Sequence, residues 1–193
     1  MLQNNIIKVA KETISNEARA IEELINLLDQ DFTAAVEHIY NAKGRVIITG
    51  IGKSAIIATK IVATLNSTGT PAIFMHAADA IHGDLGTIQE DDVVICISKS
   101  GNTPEIKVLV PLIKNFKNTL IAITGNKDSF LGKQSDYVLN AYVEKEACPN
   151  NLAPTTSTTA QLVMGDALAV SLLHLRGFSS KDFAKYHPGG ALG

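Results

Sequence analysis

From residue 45 onward the sequence alternates short apolar runs with segments of helical spacing, and few folds accommodate that alternation. The runs cover residues 45–49, 71–75, 92–97, 119–123 and 137–142, and the helical segments include 52–67, 104–115 and 155–175. Runs that are continuously apolar, rather than alternating, suit strands buried on both faces. The chain is therefore expected to be an α/β protein, with a five-stranded, mostly parallel sheet flanked by helices. Gly177 follows the last helical segment as its expected C-cap. Upstream, Ile7, Ile14, Ile21 and Leu28 recur seven apart, so residues 2–29 are expected to form one long helix and residues 32–41 a second. The stripe on the first helix needs a cover, supplied by its own domain or by another subunit.

At 193 residues the chain suits one α/β domain, with residues 1–41 as N-terminal helices and 42–193 as the core and C-terminal helices. Its hydrophobic share of 46% against 19% charged argues against disorder. A net charge of -2 gives no general attraction to nucleic acid or to an anionic membrane. The first residues lack a signal-peptide pattern and no run reads as a membrane span, so the expected location is the cytoplasm. Cys96 and Cys148 lack redox or zinc spacing and are expected to be reduced thiols without a catalytic role.

In an open parallel sheet the ligand crevice lies outside the C-terminal strand ends. The loops after Thr49, Met75, Ile97, Ile123 and Tyr142 are therefore where chemistry is expected. Ser98-Lys99-Ser100-Gly101-Asn102-Thr103-Pro104-Glu105 carries the strongest signal. It joins a strand to a helix through a hydroxyl-rich turn, and free N–H groups at a helix N-terminus attract phosphate. Thr103 also fits an N-cap and Pro104 a first helical residue. Glu105 suits a first helical turn, where an acid contributes about 0.3–1 kcal/mol. Capping explains those three without a ligand. It does not explain Ser98 and Ser100, which favour a phosphorylated small molecule.

Gly50-Ile51-Gly52-Lys53-Ser54 fails two nucleotide patterns. A P-loop requires glycine where Ile47 stands, and a dinucleotide fold requires an acid near the end of the next strand, where His76 stands. What remains is a tight turn presenting Lys53 to the crevice. A second hydroxyl cluster, Thr155-Thr156-Ser157-Thr158-Thr159, opens the last long helix and exceeds what one cap needs. Glu146 lies just upstream, in a polar loop where a carboxylate could act as a base. His76 and His82 bracket another loop. Two histidines are too few for a structural zinc site, so contact with substrate is the simpler expectation. His187 stands in the Pro-Gly-rich tail Tyr186-His187-Pro188-Gly189-Gly190-Ala191-Leu192-Gly193.

These segments, with His82-Gly83-Asp84-Leu85-Gly86, Glu146-Ala147-Cys148-Pro149 and Leu152-Ala153-Pro154-Thr155, resemble the sugar isomerase (SIS) domain family. Within it they resemble the arabinose 5-phosphate isomerase group, over nearly the whole chain. The serine-rich loop alone would indicate only the broader family; the glutamate loop and histidine tail carry the narrower likeness. The resemblance implies a flavodoxin-like three-layer sandwich, assembled as a homotetramer with active sites at subunit junctions. It implies interconversion of D-arabinose 5-phosphate and D-ribulose 5-phosphate through an enediolate, supplying Kdo for lipopolysaccharide or capsule, with no cofactor required. Lys53, Glu105, Glu146 and His187 fall on its catalytic positions. Its substrate-binding set corresponds here to Gly52, Ser54, Gly69, Thr70, His76, His82, Ser98, Ser100, Asn102, Thr103, Ser157 and Thr158. His76 also matches a position associated with zinc, inhibitory rather than required.

Mechanistically, either Glu146 or Glu105 would move the proton between C1 and C2. Lys53 would stabilise negative charge, and His187 would assist at the sugar oxygens, from a neighbouring subunit in one arrangement. Members of the family typically continue into paired CBS domains, whereas this sequence ends at Gly193. Feedback by CMP-Kdo would then act on the SIS oligomer itself. Two other readings stay open from the residues: a non-catalytic sugar-phosphate-binding module, and an isomerase of a different sugar phosphate. The first would usually carry DNA-binding helices, which the sequence does not display.

Overall fold

A computed structural model describes residues 2–189, with side chains from residue 5 onward. Helix α1 (Leu2–Glu23) runs into a 3-10 turn (Leu24–Leu27), and α2 (Gln30–Asn41) follows. Then come β1 (Val46–Gly50), α3 (Lys53–Ser67), β2 (Ala72–His76) and the single turn α4 (Ala77–Ala80). Strand β3 (Val93–Ser98) precedes α5 (Pro104–Asn115), β4 (Leu120–Thr124), α6 (Phe130–Gln134) and β5 (Tyr137–Asn140). The chain closes with α7 (Thr156–Leu175) and α8 (Ser180–Tyr186).

All four strand pairings are parallel, in the order β2-β1-β3-β4-β5. Successive residues of each strand enter opposite cores. Ile48, Ile95, Ile97, Ile121 and Ile123 pack with Leu65 of α3 and Leu168 of α7. Ile47, Val94, Cys96, Leu120 and Ala122 pack with Ile106 and Leu109 of α5. Because β1 and β3 are neighbours whose following helices join opposite cores, their loops diverge. That divergence opens the crevice at the topological switch point. The two glycine- and serine-rich turns identified in the sequence leave from these two strands.

The expected five-stranded parallel sheet is present, each strand within one or two residues of its predicted bounds. The single long first helix is not. It ends at Glu23, because Leu24 turns into the core and Asp29 caps α2 by accepting a hydrogen bond from Asp31 N at 3.0 Å. The stripe is likewise only partly covered: Ile7 and Ile14 are 57% and 69% exposed. Gly177 does close α7, with φ +60°; its N–H bonds to His174 O and that of Phe178 to Leu173 O. Two short helices had weaker signals. Ser129 caps α6 through Gly132 N, and Ser179 with Asp182 forms a capping box at α8.

One expectation about membranes needs correcting. By length and composition α7 is apolar enough to cross a bilayer, with a mean hydropathy of 1.2. In the fold it is instead a core helix, burying Ala160, Met164, Leu168 and Leu172 against the sheet and α3. Its apolarity follows from being covered on several sides.

Candidate active site

The turn after β1 brings three backbones close together. A Cβ on Gly50 would sit 3.1 Å from Ser54 C and 3.2 Å from Ile97 O, so glycine permits α3 to start against the end of β3. Gly52 has φ +58° and open space around it, so its requirement is conformational. Lys53 then opens α3 with its side chain exposed. Ser54 is committed to the fold: its hydroxyl donates to the buried Gln161 Oε1 of α7 at 3.2 Å.

The turn after β3 is held from within and from α6. Ser98 Oγ accepts from Gly101 N at 3.1 Å, and Ser100 Oγ from Asn102 N at 3.3 Å. The Asn102 side chain donates to Ser100 O and accepts from Phe130 N, tying the turn to α6. Gly101 O accepts from Leu131 N at 3.0 Å. Thr103 occupies the N-cap position of α5 but makes no capping bond, contrary to expectation. Its hydroxyl is buried without a partner. Beside it, the first N–H groups of α5 have no intrahelical acceptor. A buried free hydroxyl next to unpaired N–H groups suits an anion. Glu105, one residue into α5, is exposed, with no hydrogen bond or ion pair among the described residues.

Glu146 is the opposite case. Its side chain is fully buried in the loop between β5 and α7. Oε2 accepts from Thr155 N at 2.8 Å, Ser157 N at 3.1 Å and the Thr155 hydroxyl at 3.3 Å. Oε1 accepts from Ser157 Oγ at 2.5 Å and from Lys99 Nζ at 2.6 Å. Burial pushes the carboxyl's pKa up, but the Lys99 ammonium, the Ser157 hydroxyl and the N–H groups of Thr155 and Ser157 outweigh it and hold the group down at about 2. The loop closes on itself around this anchor. Asn151 Oδ1 accepts from Glu146 N at 2.7 Å, and Cys148 Sγ accepts from Leu152 N and Ala153 N. Those backbone bonds, from Ala153 first and Leu152 next, lower the thiol's pKa.

The hydroxyl cluster at the start of α7 thus serves mainly the protein. Ser157 and Thr155 hold Glu146, while Thr158 and Thr159 bond back to Thr155 O. Thr156 alone keeps a buried hydroxyl without a partner. Sequence reading assigned no role to Thr156 or to Lys99. Lys99 could have been noticed as the one cation inside the phosphate turn; nothing in the sequence indicates that it reaches Glu146.

Not all predicted residues converge in one chain. His76 ends β2 with its Nδ1 3.6 Å from Asp79 Oδ2, and His82 is exposed in the following loop. Among the described residues no three His, Cys, Asp or Glu side chains gather to hold a metal. Gly69 and Thr70 precede β2, at the N-terminal end of the sheet and away from the crevice. There Thr70 Oγ1 accepts from Arg176 Nε, and Gly69 (φ +89°) packs against the Phe178 ring. His187 belongs to this end too. Its ring stacks on Phe183 with centroids 3.8 Å apart and its Nδ1 donates to Phe183 O. Helix α7 carries the chain about 30 Å from the Glu146 loop to Arg176, and α8 is about 10 Å long. His187 cannot return to its own chain's crevice over that distance. The rest of the tail motif, residues 190–193, lies outside the described residues.

Comparison with known proteins supplies the remaining findings. Residues 38–171 match the family described as SIS domain. The chain is 53% identical over 194 residues to arabinose 5-phosphate isomerase KdsD of Pseudomonas aeruginosa, covering all of this chain and 60% of that protein. It is 50% identical over 189 residues to arabinose 5-phosphate isomerase KpsF of Escherichia coli O6:H1, covering 97% of this chain and 58% of that protein. The chain thus spans less than two thirds of the length of these curated relatives. Among solved structures, an E. coli CFT073 protein in complex with arabinose 5-phosphate superposes with a TM-score of 0.93 at 41% identity, covering 97% of this chain and 100% of the other.

Proposed function

The chain belongs to the SIS domain family, and on that premise we propose that it interconverts D-arabinose 5-phosphate and D-ribulose 5-phosphate. The observation that carries this reading is the switch-point crevice, where an anion-binding turn with an unpaired buried Thr103 hydroxyl adjoins the Lys99–Glu146 pair and leads into Glu105. Identity near 50% to proteins named for this activity supports the substrate.

The phosphate is anchored on the Ser98–Thr103 turn and the first N–H groups of α5. A carboxylate takes the proton from C2, leaving a cis-enediolate, and a proton is returned to C1. A second proton moves between the two sugar oxygens. Every step is a proton transfer and the net reaction rearranges one molecule, so no redox partner is consumed and no cofactor is required. Glu105 is the less encumbered base, because none of the described residues bonds to its oxygens; Glu146 is ionised but has both oxygens engaged. Lys53, across the switch point, stabilises the charge of the enediolate or phosphate. His187 acts from a neighbouring subunit of a homotetramer, with Nε2 available to shuttle the oxygen-bound proton and to assist furanose opening. Gly69 and Thr70, at the same end of the molecule, reach substrate only across such a junction.

This reading places the enzyme in the cytoplasm, in the supply of Kdo to lipopolysaccharide or capsule, with CMP-Kdo as a feedback ligand. A panel of five- to seven-carbon sugar phosphates is expected to show arabinose 5-phosphate and ribulose 5-phosphate as the preferred pair. Turnover in D₂O is expected to place deuterium at C1 of ribulose 5-phosphate and, on reversal, at C2 of arabinose 5-phosphate; strict retention of the original hydrogen would indicate a hydride shift and remove the carboxylate role. For assembly, a His187→Ala chain mixed with a Glu105→Gln chain is expected to recover activity in the mixed tetramer. No recovery, or full activity of a monomer in sedimentation, would place His187 outside the site. Absence of inhibition by millimolar CMP-Kdo would end the feedback proposal.

A further inference from the structure

The ion pair between Lys99 and Glu146 joins two parts of the crevice, and its two members differ in freedom. Glu146 has no exposed side-chain surface, and Oε2 is gripped by the backbone at the start of α7. Lys99 is 47% exposed, and only its backbone is pinned, through its carbonyl, which accepts from Gly125 N and the Thr124 hydroxyl. Lys99 is therefore the movable donor on this carboxylate. It is also the only cation bonded to it among the described residues. The other charged or titratable groups nearby are Glu144 and Lys145, both exposed, and the Cys148 thiol on Glu146's own loop, which accepts from Leu152 and Ala153; from α1, Glu17 accepts from the Thr159 hydroxyl at the start of α7, and Arg19 and Glu23 line a cavity with Tyr142, Glu144 and Lys145. The positive end of α7 faces Oε2 and moves with the fold.

Lys99 also belongs to the turn that receives phosphate, standing between Ser98 and Ser100. A phosphate bound there offers the ammonium a second and more highly charged partner than one carboxylate, in a more exposed place. We propose that Lys99 is a positioning residue shared between the two sites: it neutralises Glu146 in the empty chain and transfers to the substrate's phosphate on binding, which leaves Glu146 a stronger proton acceptor. The fixed neutral donors keep the carboxylate in place while its counter-ion leaves, and loss of a nearby cation raises a carboxylate's proton affinity. Binding energy at the phosphate is thereby coupled to acid–base competence at a second carboxylate. This rests on the sugar-phosphate reading above, in which two protons move and two carboxylates line the crevice.

Direct titration of Glu146 tests the coupling without relying on turnover. The protein is labelled with ¹³C at glutamate side-chain carboxyls, the Glu146 resonance is assigned by its loss in Glu146→Gln, and its midpoint is followed between about pH 3 and 7. In the empty wild-type chain the group is expected to stay ionised across this range. Lys99→Met keeps the aliphatic stem and is expected to raise the midpoint by about one unit or more, tenfold in proton affinity. Lys99→Arg is expected to keep it low. Saturating inorganic phosphate is expected to raise the wild-type midpoint and to leave that of Lys99→Met unchanged. An unmoved midpoint in Lys99→Met, or an equal phosphate effect in both proteins, overturns the proposal. In the isomerase assay, the acid limb of kcat/KM is expected to move to higher pH in Lys99→Met and to return in Lys99→Arg. Isomerase activity with an unmoved titration removes this proposal alone. Inactivity of the wild type towards every sugar phosphate removes the proposed function, while the titration still judges the coupling.

Discussion

Glu146→Gln is expected to lower kcat by roughly 10²-fold or more, and Glu105→Gln by a similar factor, because each removes a carboxylate placed to carry a proton. The two variants differ in everything else. Glu105 is exposed and unpartnered among the described residues, so its variant is expected to lose only the first-turn charge effect of about 0.3–1 kcal/mol. Glu146 is tied to Lys99, Thr155 and Ser157, so its variant loses an ion pair and the anion at a helix N-terminus. The pH dependence of unfolding separates them further. Glu146 has a folded-state pKa of about 2, below the unfolded carboxylate value of 4.5, so its stabilisation is complete above that value and disappears as pH falls towards 2. The amount is on the order of 3 kcal/mol. Urea unfolding of the wild type is expected to show that loss between about pH 5 and 2, and Glu146→Gln to show a flatter profile over the same range. Near-normal kcat in either variant would make that residue structural. An unchanged acid profile in Glu146→Gln would mean that the carboxylate is not held as described.

Gly101→Ala is expected to damage both stability and phosphate binding. Gly101 has φ +63°, where an L-residue costs about 1–2 kcal/mol. A Cβ there would also overlap the Ser129 side chain and stand 3.2 Å from Leu131 Cβ. Ser129 cannot simply move, because it is 1% exposed and its Oγ caps α6 through Gly132 N. Losing that cap costs about 0.5–2 kcal/mol. The sum, about 1.5–4 kcal/mol, should appear as a lower urea midpoint, with KM for the sugar phosphate raised about tenfold or more as the turn opens. Gly52→Ala is the matched control. Its φ is also positive, with ψ -129°, but a Cβ would meet nothing within 4 Å, so only a conformational cost of about 1–3 kcal/mol is expected. Equal losses in the two variants would show that contact with Ser129 contributes nothing.

These predictions join features that were evident in the sequence with others that were not. The phosphate turn was recognisable because its chemistry is local: a strand, a run of hydroxyls, a glycine and a proline follow one another within a dozen residues. The same holds for the glycine turn before Lys53 and for the five buried strands, whose apolarity records burial on both faces. The first helix was overextended because a seven-residue repeat continues past Glu23, while the turn there is set by Leu24 entering the core. Thr103 is the right residue type for a cap, yet its buried hydroxyl makes no capping bond. The short helices α6 and α8 hold too few residues for periodicity to register.

Side-chain partnership over long separations is a different matter. Lys99 and Glu146 are 47 residues apart, and Ser54 and Gln161 are 107 apart. Such pairs depend on strand order and on where each helix begins, neither of which hydropathy patterning encodes. Glu146 could be nominated as a base from its loop, but its ionised, fully bonded state arises only when the start of α7 and the β3 turn close around it. Gly69, Thr70 and His187 could likewise be grouped with the site by resemblance. The length of α7 then puts them at the far end of the chain, because a rigid rod of about 30 Å separates the two ends. Local chemistry, written in consecutive residues, was enough to identify the sheet and the phosphate turn. The ionised, fully bonded state of Glu146, and the placing of His187 at the opposite end of its own chain, came from through-space geometry that emerges only when distant segments pack.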